Sequence, residues 1–191
     1  MTSTCKYNIF GKRFLAGLID SLIFIPFSML DNKFEETGNK ALFICWILFH
    51  TVCWTLYVVI GHSIYGQTIG KRLMGIKVFN VNEKDLISYE HAFLRESVYF
   101  FTVIAGVIYL TINTSKVLIL NEEIKDTYYN DIVGLTSGVW LILELLTMWF
   151  NKKRRALHDF IAGSVVVDLT ELRREDLEKR QNELITSLQN K

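Results

Sequence analysis

The sequence has few of the residues that mark several common protein classes. It contains one proline and three cysteines, and only 21% of its 191 residues are charged. Cys5, Cys45 and Cys53 show neither CxxC spacing nor a histidine pattern suited to zinc, so we expect no disulfide framework and no metal site. A net charge of +1 gives no global case for binding nucleic acid. With 50% hydrophobic residues, the chain is not disordered by composition.

The apolar residues are gathered into four long runs. A helix that crosses about 30 Å of hydrocarbon needs about 17–25 mostly apolar residues. The runs of suitable length and composition are 14–30, 41–61, 97–112 and 132–150, and an extension of the third run to Leu120 is open. They predict an all-α integral membrane protein, with four transmembrane helices packed as a bundle.

The distribution of Lys and Arg predicts the orientation of this bundle. Seventeen of the 21 basic residues lie before the first run, between the second and third runs, or after the fourth. The third connection is instead acidic and contains Glu122 and Glu123. Because basic residues favour the cytoplasmic side of a membrane, we expect both termini to be cytoplasmic.

The second connection is rich in glycine and contains the segment GQTIGKRLMG at 66–75. A phosphate-binding loop would have a longer spacing and a Ser or Thr at the position of Arg72, so nucleotide binding is rejected. The segment predicts a short interfacial helix, whose glycines permit close backbone packing. Lys71 and Arg72 would contact lipid headgroup phosphates.

Two short segments with β-branched residues flank the last two runs. Residues 76–81 alternate in polarity, and residues 164–167 follow Gly163. Since isolated strands leave edge groups without partners, we expect the two segments to pair as a small cytoplasmic β-ribbon. Residues 8–168 would form the transmembrane domain, and residues 169–191 a charged cytoplasmic helical tail.

Two carboxylates fall inside the apolar runs, where a charge is costly. Asp20 lies two helical turns after Arg13, and Glu144 lies eight residues before Lys152, so both reach a similar depth. If they face each other, they would share one proton or a small cation such as sodium. In the alternative, Asp20 pairs with an arginine such as Arg95 and only holds the bundle together.

Two histidines invite functional interpretations. His50 lies near the middle of the second run and would either relay protons or hydrogen-bond between helices. His158 and Asp159 are adjacent, but the sequence has no GxSxG nucleophile motif and no second histidine at a ligand spacing. We therefore expect no enzyme activity and no cofactor.

Three ordered segments together resemble the signatures of the RDD family of membrane proteins. They are RFLAGLID at 13–20, GQTIGKRLMGIKV at 66–78 and KRRALHDFIAGSVV at 153–166. The family takes its name from one arginine and two aspartates, which correspond here to Arg13, Asp20 and Asp159. The resemblance implies a bacterial inner-membrane protein. Some members are associated with sodium/proton antiport, whereas most have no assigned activity. Antiport is therefore the most specific function that the resemblance implies. Glu144 is not a recognised family position.

Two functions follow as hypotheses. In the first, the chain is a cation/proton antiporter, with Asp20 and Glu144 as the ion or proton site and Arg13 and Asp159 as a cytoplasmic gate or structural ion pair. Four helices enclose little room for two gates, so this hypothesis includes a homo-oligomer. In the second, the chain is a non-transporting scaffold whose buried charges are structural. Its ribbon and tail would then bind another membrane protein.

Overall fold

The computed structural model describes the backbone of residues 5–120 and 127–189, and the side chains of residues 6–112, 135 and 138–189. A 3₁₀ turn at Cys5–Tyr7 precedes the first helix, and a π-helical turn at Gly61–Tyr65 follows the second. The elements in chain order are α1 (Phe10–Glu36), α2 (Lys40–Ile60), α3 (Ile69–Leu73), β1 (Ile76–Asn80), α4 (Tyr89–Leu120), α5 (Thr127–Phe150), α6 (Leu157–Ile161), β2 (Ser164–Asp168) and α7 (Leu169–Gln189).

Three helical segments are long and apolar enough to cross a membrane, which fits an all-α membrane protein. They are Phe10–Glu36, Lys40–Tyr65 and Tyr89–Ile112. In α5, the apolar segment with described side chains is the shorter Gly138–Phe150. Glu122, in the acidic third connection, lies outside the described residues.

The helices extend beyond the apolar runs because polar residues at their ends continue the backbone hydrogen bonding. Helix α4 begins at Tyr89 and not near residue 97, so Arg95 lies within the helix rather than at its start. Pro26 lies inside α1 and does not end it. Between α1 and α2, the Asn39 side chain accepts a hydrogen bond from the Leu42 N–H (3.1 Å), which caps α2.

The two short strands pair as an antiparallel ribbon. Ile76 is opposite Asp168, Val78 opposite Val166, and Asn80 opposite Ser164. One face of the ribbon packs on a buried cluster that also contains residues of α1 and α4 (Ile9, Ala16, Ile76, Val78, Ile87, Ala92, Val166). The other face, with Phe79, Val165 and Val167, packs on Tyr7 and Leu172. The ribbon is therefore enclosed between the long helices on one side and the N-terminal turn and tail on the other.

Helix α3 lies directly against α1. Thr68 caps its N-terminus by accepting a hydrogen bond from the Lys71 N–H (3.4 Å). A Cβ atom at Gly70 would lie 2.1 Å from the carbonyl oxygen of Ala16. Only glycine allows this approach, so α3 packs on α1 through Gly70, while Ile69 and Leu73 on its other side are exposed.

The tail helix α7 is anchored only near its beginning. Leu172 joins the cluster under the ribbon, and Lys6 Nζ donates a hydrogen bond to Glu175 Oε2 (3.1 Å). No residue of α7 is buried over Leu169–Gln189, and its later apolar residues, including Leu184 and Leu188, are exposed.

Candidate functional site

The buried carboxylate of Asp159 connects four elements. Arg13 Nη1 from α1 donates to Asp159 Oδ2 (2.7 Å), and Arg95 Nη1 from α4 lies 2.6 Å from Asp159 Oδ1. The Ala156 N–H (3.0 Å) and the Ser164 hydroxyl (3.2 Å) donate to the same carboxylate. Burial alone raises the pKa of Asp159, but the adjacent Arg13 and Arg95 and the Ala156 N–H together hold it well below its usual range.

Asp20 is surrounded by a different set of donors. Its carboxylate is 5% exposed and accepts hydrogen bonds from the Tyr57 hydroxyl (2.6 Å), the Thr68 hydroxyl (2.6 Å) and the Gly70 N–H (2.8 Å). The alternative in which Asp20 pairs with Arg95 is not what the structure shows, because Arg95 contacts Asp159, Ser164 and His158. Asp20 thus fixes the start of α3 against α1 and α2.

Sequence analysis missed the three partners of Asp20. Thr68 could have been predicted as the residue that caps α3, because threonine is a common N-cap residue. Tyr57 lies in an apolar run and carried no comparable signal. The tertiary fold brings Tyr57 and Thr68 to Asp20 from positions 37 and 48 residues away.

Lys71 points into the fold and meets a buried histidine. His62, in the turn after α2, is 0% exposed, and its Nε2 lies 2.7 Å from Lys71 Nζ. Burial, followed by the neighbouring charge of Arg95, lowers the pKa of Lys71 to about 7. This placement differs from the expectation that Lys71 contacts lipid headgroups, since glycine packing draws α3 onto α1. Arg72 is exposed, as a headgroup contact requires.

Glu144 is linked to the Asp159 network through a histidine. Glu144 Oε1 is hydrogen-bonded to His158 Nδ1, and Arg95 Nη2 lies 2.9 Å from His158 Nε2. Because arginine can only donate, the hydrogen-bond network assigns a lone pair to Nε2 and the ring proton to Nδ1. His158 therefore donates to Glu144 and accepts from Arg95.

Several of these side chains line a cavity of about 490 Å³ between the long helices and α6. Its charged and titratable lining residues are Arg13, Asp20, Lys71, Arg95, Glu96, Glu144 and His158. Asp20 and Glu144 both line it, but the contacts of the described side chains join each to its own partners and not to each other. The volume of this cavity and its mixture of charged and apolar walls give it room for a small ion, water or a polar headgroup.

His50 belongs to a separate polar group. Its Nδ1 lies 3.3 Å from Asp31 Oδ1, which also accepts a hydrogen bond from Trp46 Nε1 (2.6 Å). The rings of Phe24 and Phe27 stack on the imidazole. His50 is not among the residues lining the 490 Å³ cavity. Among the described residues, no group of three or more His, Cys, Asp or Glu side chains is arranged to hold a metal ion.

Comparison with known protein families identifies the family to which this chain belongs. The family model described as RDD matches residues 7–163. The chain belongs to the RDD family. Searches of curated proteins and of solved structures found no match. With its span-length apolar helices, this RDD protein is a multi-pass membrane protein.

The three residues that correspond to the RDD name occupy two separate places in the structure. Arg13 and Asp159 form one buried ion pair, which Arg95 completes from α4. Asp20 instead anchors α3 through neutral donors. Arg13 and Asp20 both line the same cavity, whereas Asp159 lies behind Arg13 and is not among its lining residues.

Proposed function

We propose that this RDD protein is an inner-membrane cation/proton antiporter that exchanges sodium or a similar cation for protons. The observation that carries the proposal is the cavity lined by Asp20 and Glu144, two carboxylates from different long helices. Carboxylates in a membrane-embedded cavity are the groups at which protons and small cations compete. The proposal involves no covalent chemistry and no cofactor.

Within this site, Glu144 is the exchanging carboxylate and Asp20 is a positioning residue. Three donors already occupy the Asp20 carboxylate, whereas the described partner of Glu144 is the single imidazole of His158. A cation entering the cavity can therefore coordinate Glu144 without dismantling the anchor of α3. This assignment changes the role of Asp20 from ion ligand to support.

Lys71 supplies a competing positive charge. Asp20 fixes the start of α3, and α3 carries the Lys71 amine into the cavity wall. A metal cation bound at Glu144 repels the ammonium form of Lys71, so cation entry favours release of a proton. Its pKa of about 7 allows this exchange at physiological pH.

The His158 network couples proton uptake to the gate. A second proton on His158 would occupy the Nε2 lone pair that now accepts from Arg95. Arg95 would then lose this contact and be held only by Asp159 and Ser164. The Arg13–Asp159–Arg95 cluster is thus the gate in this proposal, at the side where α6 and the ribbon meet the bundle.

The proposal includes the topology that the charge bias predicts. The apolar Gly138–Phe150 segment belongs to the fourth span, both termini face the cytoplasm, and the ribbon lies at the cytoplasmic surface. We also propose that the protein forms a homo-oligomer, because four helices enclose too little space for the two alternating gates of a transporter.

Flux measurements test the proposal. Proteoliposomes with a preset pH gradient should lose it on addition of Na⁺ or Li⁺, and Glu144→Gln should abolish this cation-dependent loss. Glu90→Gln, at an exposed glutamate in the first turn of α4, is the matched control and should transport normally. Absence of flux from folded wild-type protein of verified orientation would exclude antiport.

A second candidate function is a non-transporting scaffold. It is favoured by the saturation of Asp159, whose carboxylate is held by two arginines and two further donors and leaves no free site. The exposed part of α7 would then bind another protein. Under this hypothesis Glu144→Gln changes stability at most, whereas removal of residues 177–191 abolishes partner binding without affecting the fold of the rest.

A further inference from the structure

Two nitrogen atoms of the Arg13 guanidinium have no hydrogen-bond partner among the described residues. Its Nη1 donates to Asp159 Oδ2 (2.7 Å) and approaches Met148 Sδ (3.6 Å). Its Nε and Nη2 are buried and have no hydrogen-bond partner among the described residues. Buried donors without an acceptor are unfavourable, and few occur in folded proteins. The Nε and Nη2 hydrogens point the same way, as in bidentate binding of phosphate or carboxylate.

A second cavity lies beside this arginine. It measures about 410 Å³ and is formed where the first turn of α1 meets the last turn of α5 and the loop after it. Its lining includes Asn8, Phe10, Arg13, Trp149 and Arg154. Arg13 also lines the 490 Å³ cavity, so its guanidinium separates the two spaces.

The polar side of this second cavity is basic. The Arg154 side chain is exposed and has no hydrogen-bond or ion-pair partner among the described residues. Its backbone adopts a positive φ of 46°, a conformation that is unfavourable for a residue with a side chain. Arg13 and Arg154 both line this cavity, and their positive charge favours an occupant that carries negative charge.

Most of the remaining wall is apolar, and two of its aromatic side chains are exposed. Phe10 is 48% exposed and Trp149 is 84% exposed at the ends of their helices. A free anion would gain nothing from these rings, whereas an acyl chain would pack on them. Tryptophan is enriched where membrane helices meet the headgroup layer, and basic residues there attract acidic lipids.

We propose that the groove between the start of α1 and the end of α5, defined by Phe10, Arg13, Trp149 and Arg154, binds the headgroup phosphate of an acidic phospholipid. The phosphate would accept from Nε and Nη2 of Arg13 and from Arg154, with the acyl chain along Phe10 and Trp149. This lipid site is independent of whether the protein transports ions.

Native mass spectrometry of the full-length protein tests the lipid site, with dioleoyl phosphatidylglycerol as the probe and dioleoyl phosphatidylcholine as the neutral comparison. We expect phosphatidylglycerol to bind more tightly. Arg154→Gln should weaken its binding roughly tenfold, since it removes a charge-assisted contact. Arg13→Lys should do the same, because lysine preserves a charge for Asp159 but lacks the bidentate edge. Arg180→Gln, at an exposed arginine of α7 outside both cavities, should have no effect.

Several outcomes would overturn the proposal. They are equal binding of the two lipids, unchanged phosphatidylglycerol affinity in folded Arg154→Gln, and an equal loss in Arg180→Gln. If Arg13→Lys does not fold, Arg154→Gln alone decides. Glycerol 3-phosphate tests whether a soluble phosphate competes for the site, and we expect it not to displace the lipid. Full displacement at equimolar concentration would indicate a soluble-anion site instead.

Discussion

Gly70 packs directly on the backbone of Ala16. A side-chain carbon at Gly70 would lie 2.1 Å from the Ala16 carbonyl oxygen and 2.9 Å from Asp20 Oδ1. The same glycine donates its N–H to Asp20 (2.8 Å). The close approach and the hydrogen bond together hold α3 on α1, and α3 in turn places Lys71 beside His62.

Gly70→Ala should therefore destabilise the protein by about 1–3 kcal/mol, because the backbone of α1 or α3 must move to admit the methyl group. The free energy of unfolding in detergent is the measurement. Gly11→Ala is the matched control, since a Cβ there meets nothing within 4 Å. That control should be neutral or stabilising by up to about 1 kcal/mol. Equal stability of the two variants would contradict the packing described for Gly70.

Asp159→Asn should be among the most damaging single changes in the chain. It leaves the charges of Arg13 and Arg95 buried without a counter-ion, and breaking such a network costs about 3–5 kcal/mol. Unfolding measurements on Asp176→Asn, at an exposed aspartate of α7, provide the control and should match the wild type. A stable Asp159→Asn protein would show that the ion cluster does not hold these elements together.

The Lys71 amine should make stability depend on pH at the alkaline side. Burial and Arg95 lower its pKa from 10.5 to about 7 in the folded protein. Between these two pH values the unfolded chain binds more protons than the folded one, so stability rises as pH increases from about 7 to about 10.5. Lys71→Met should remove this rise, as measured by unfolding across that range. Arg72→Met should retain it, because Arg72 is exposed and stays charged throughout.

Glu83 should produce a pH dependence of the same sign in acid, where stability also rises with pH. Burial raises its pKa, but hydrogen bonds from Lys153, Tyr7 and Lys6 outweigh burial and lower the pKa from 4.5 to about 2. The stability contributed by this carboxylate is complete above about pH 4.5 and is lost as the pH falls towards 2. In Glu83→Gln, the free energy of unfolding should fall less steeply than in the wild type as the pH is lowered from about 4.5 to about 2. An unchanged acid limb would mean that these contacts add no net stability.

Cysteine labelling tests the predicted orientation. In a variant without Cys5, Cys45 and Cys53, Glu122→Cys should react with a membrane-impermeant maleimide added from outside the cell. A cysteine introduced at Glu178, in the tail, should react only after the membrane is opened. Labelling of Glu122→Cys only from the cytoplasmic side would invert the topology and the proposed direction of transport.

Much of the candidate site could be anticipated from local sequence. Asp20 and Glu144 stand out because a carboxylate inside an apolar run is expensive to bury and needs a reason to be there. Arg13 and Asp159 stand out through the resemblance of their segments to the RDD signatures. The β-branched segments were visible for a similar reason, since their alternation suits a pleated strand. None of these signals depends on residues far away in the chain.

The pairing of the charges could not be derived in the same way. Arg95 is equally compatible in sequence with Asp20 and with Asp159, and only the packing of α4 on α6 and β2 directs it to Asp159. His158 links Glu144 to this cluster because α5 and α6 bring the two residues together. Such long-range contacts depend on the relative positions of packed elements, which local periodicity does not specify.

The sequence by itself determined that this protein lies in a membrane, because hydrocarbon selects for long apolar helices whatever their neighbours are. It also determined the family, through three ordered motifs. Only the tertiary structure decided that Lys71 turns inward, that Asp20 anchors a helix, and that Arg13 faces two cavities. Hydrophobicity acts on each segment separately, whereas a hydrogen bond or ion pair requires two particular side chains to meet in space.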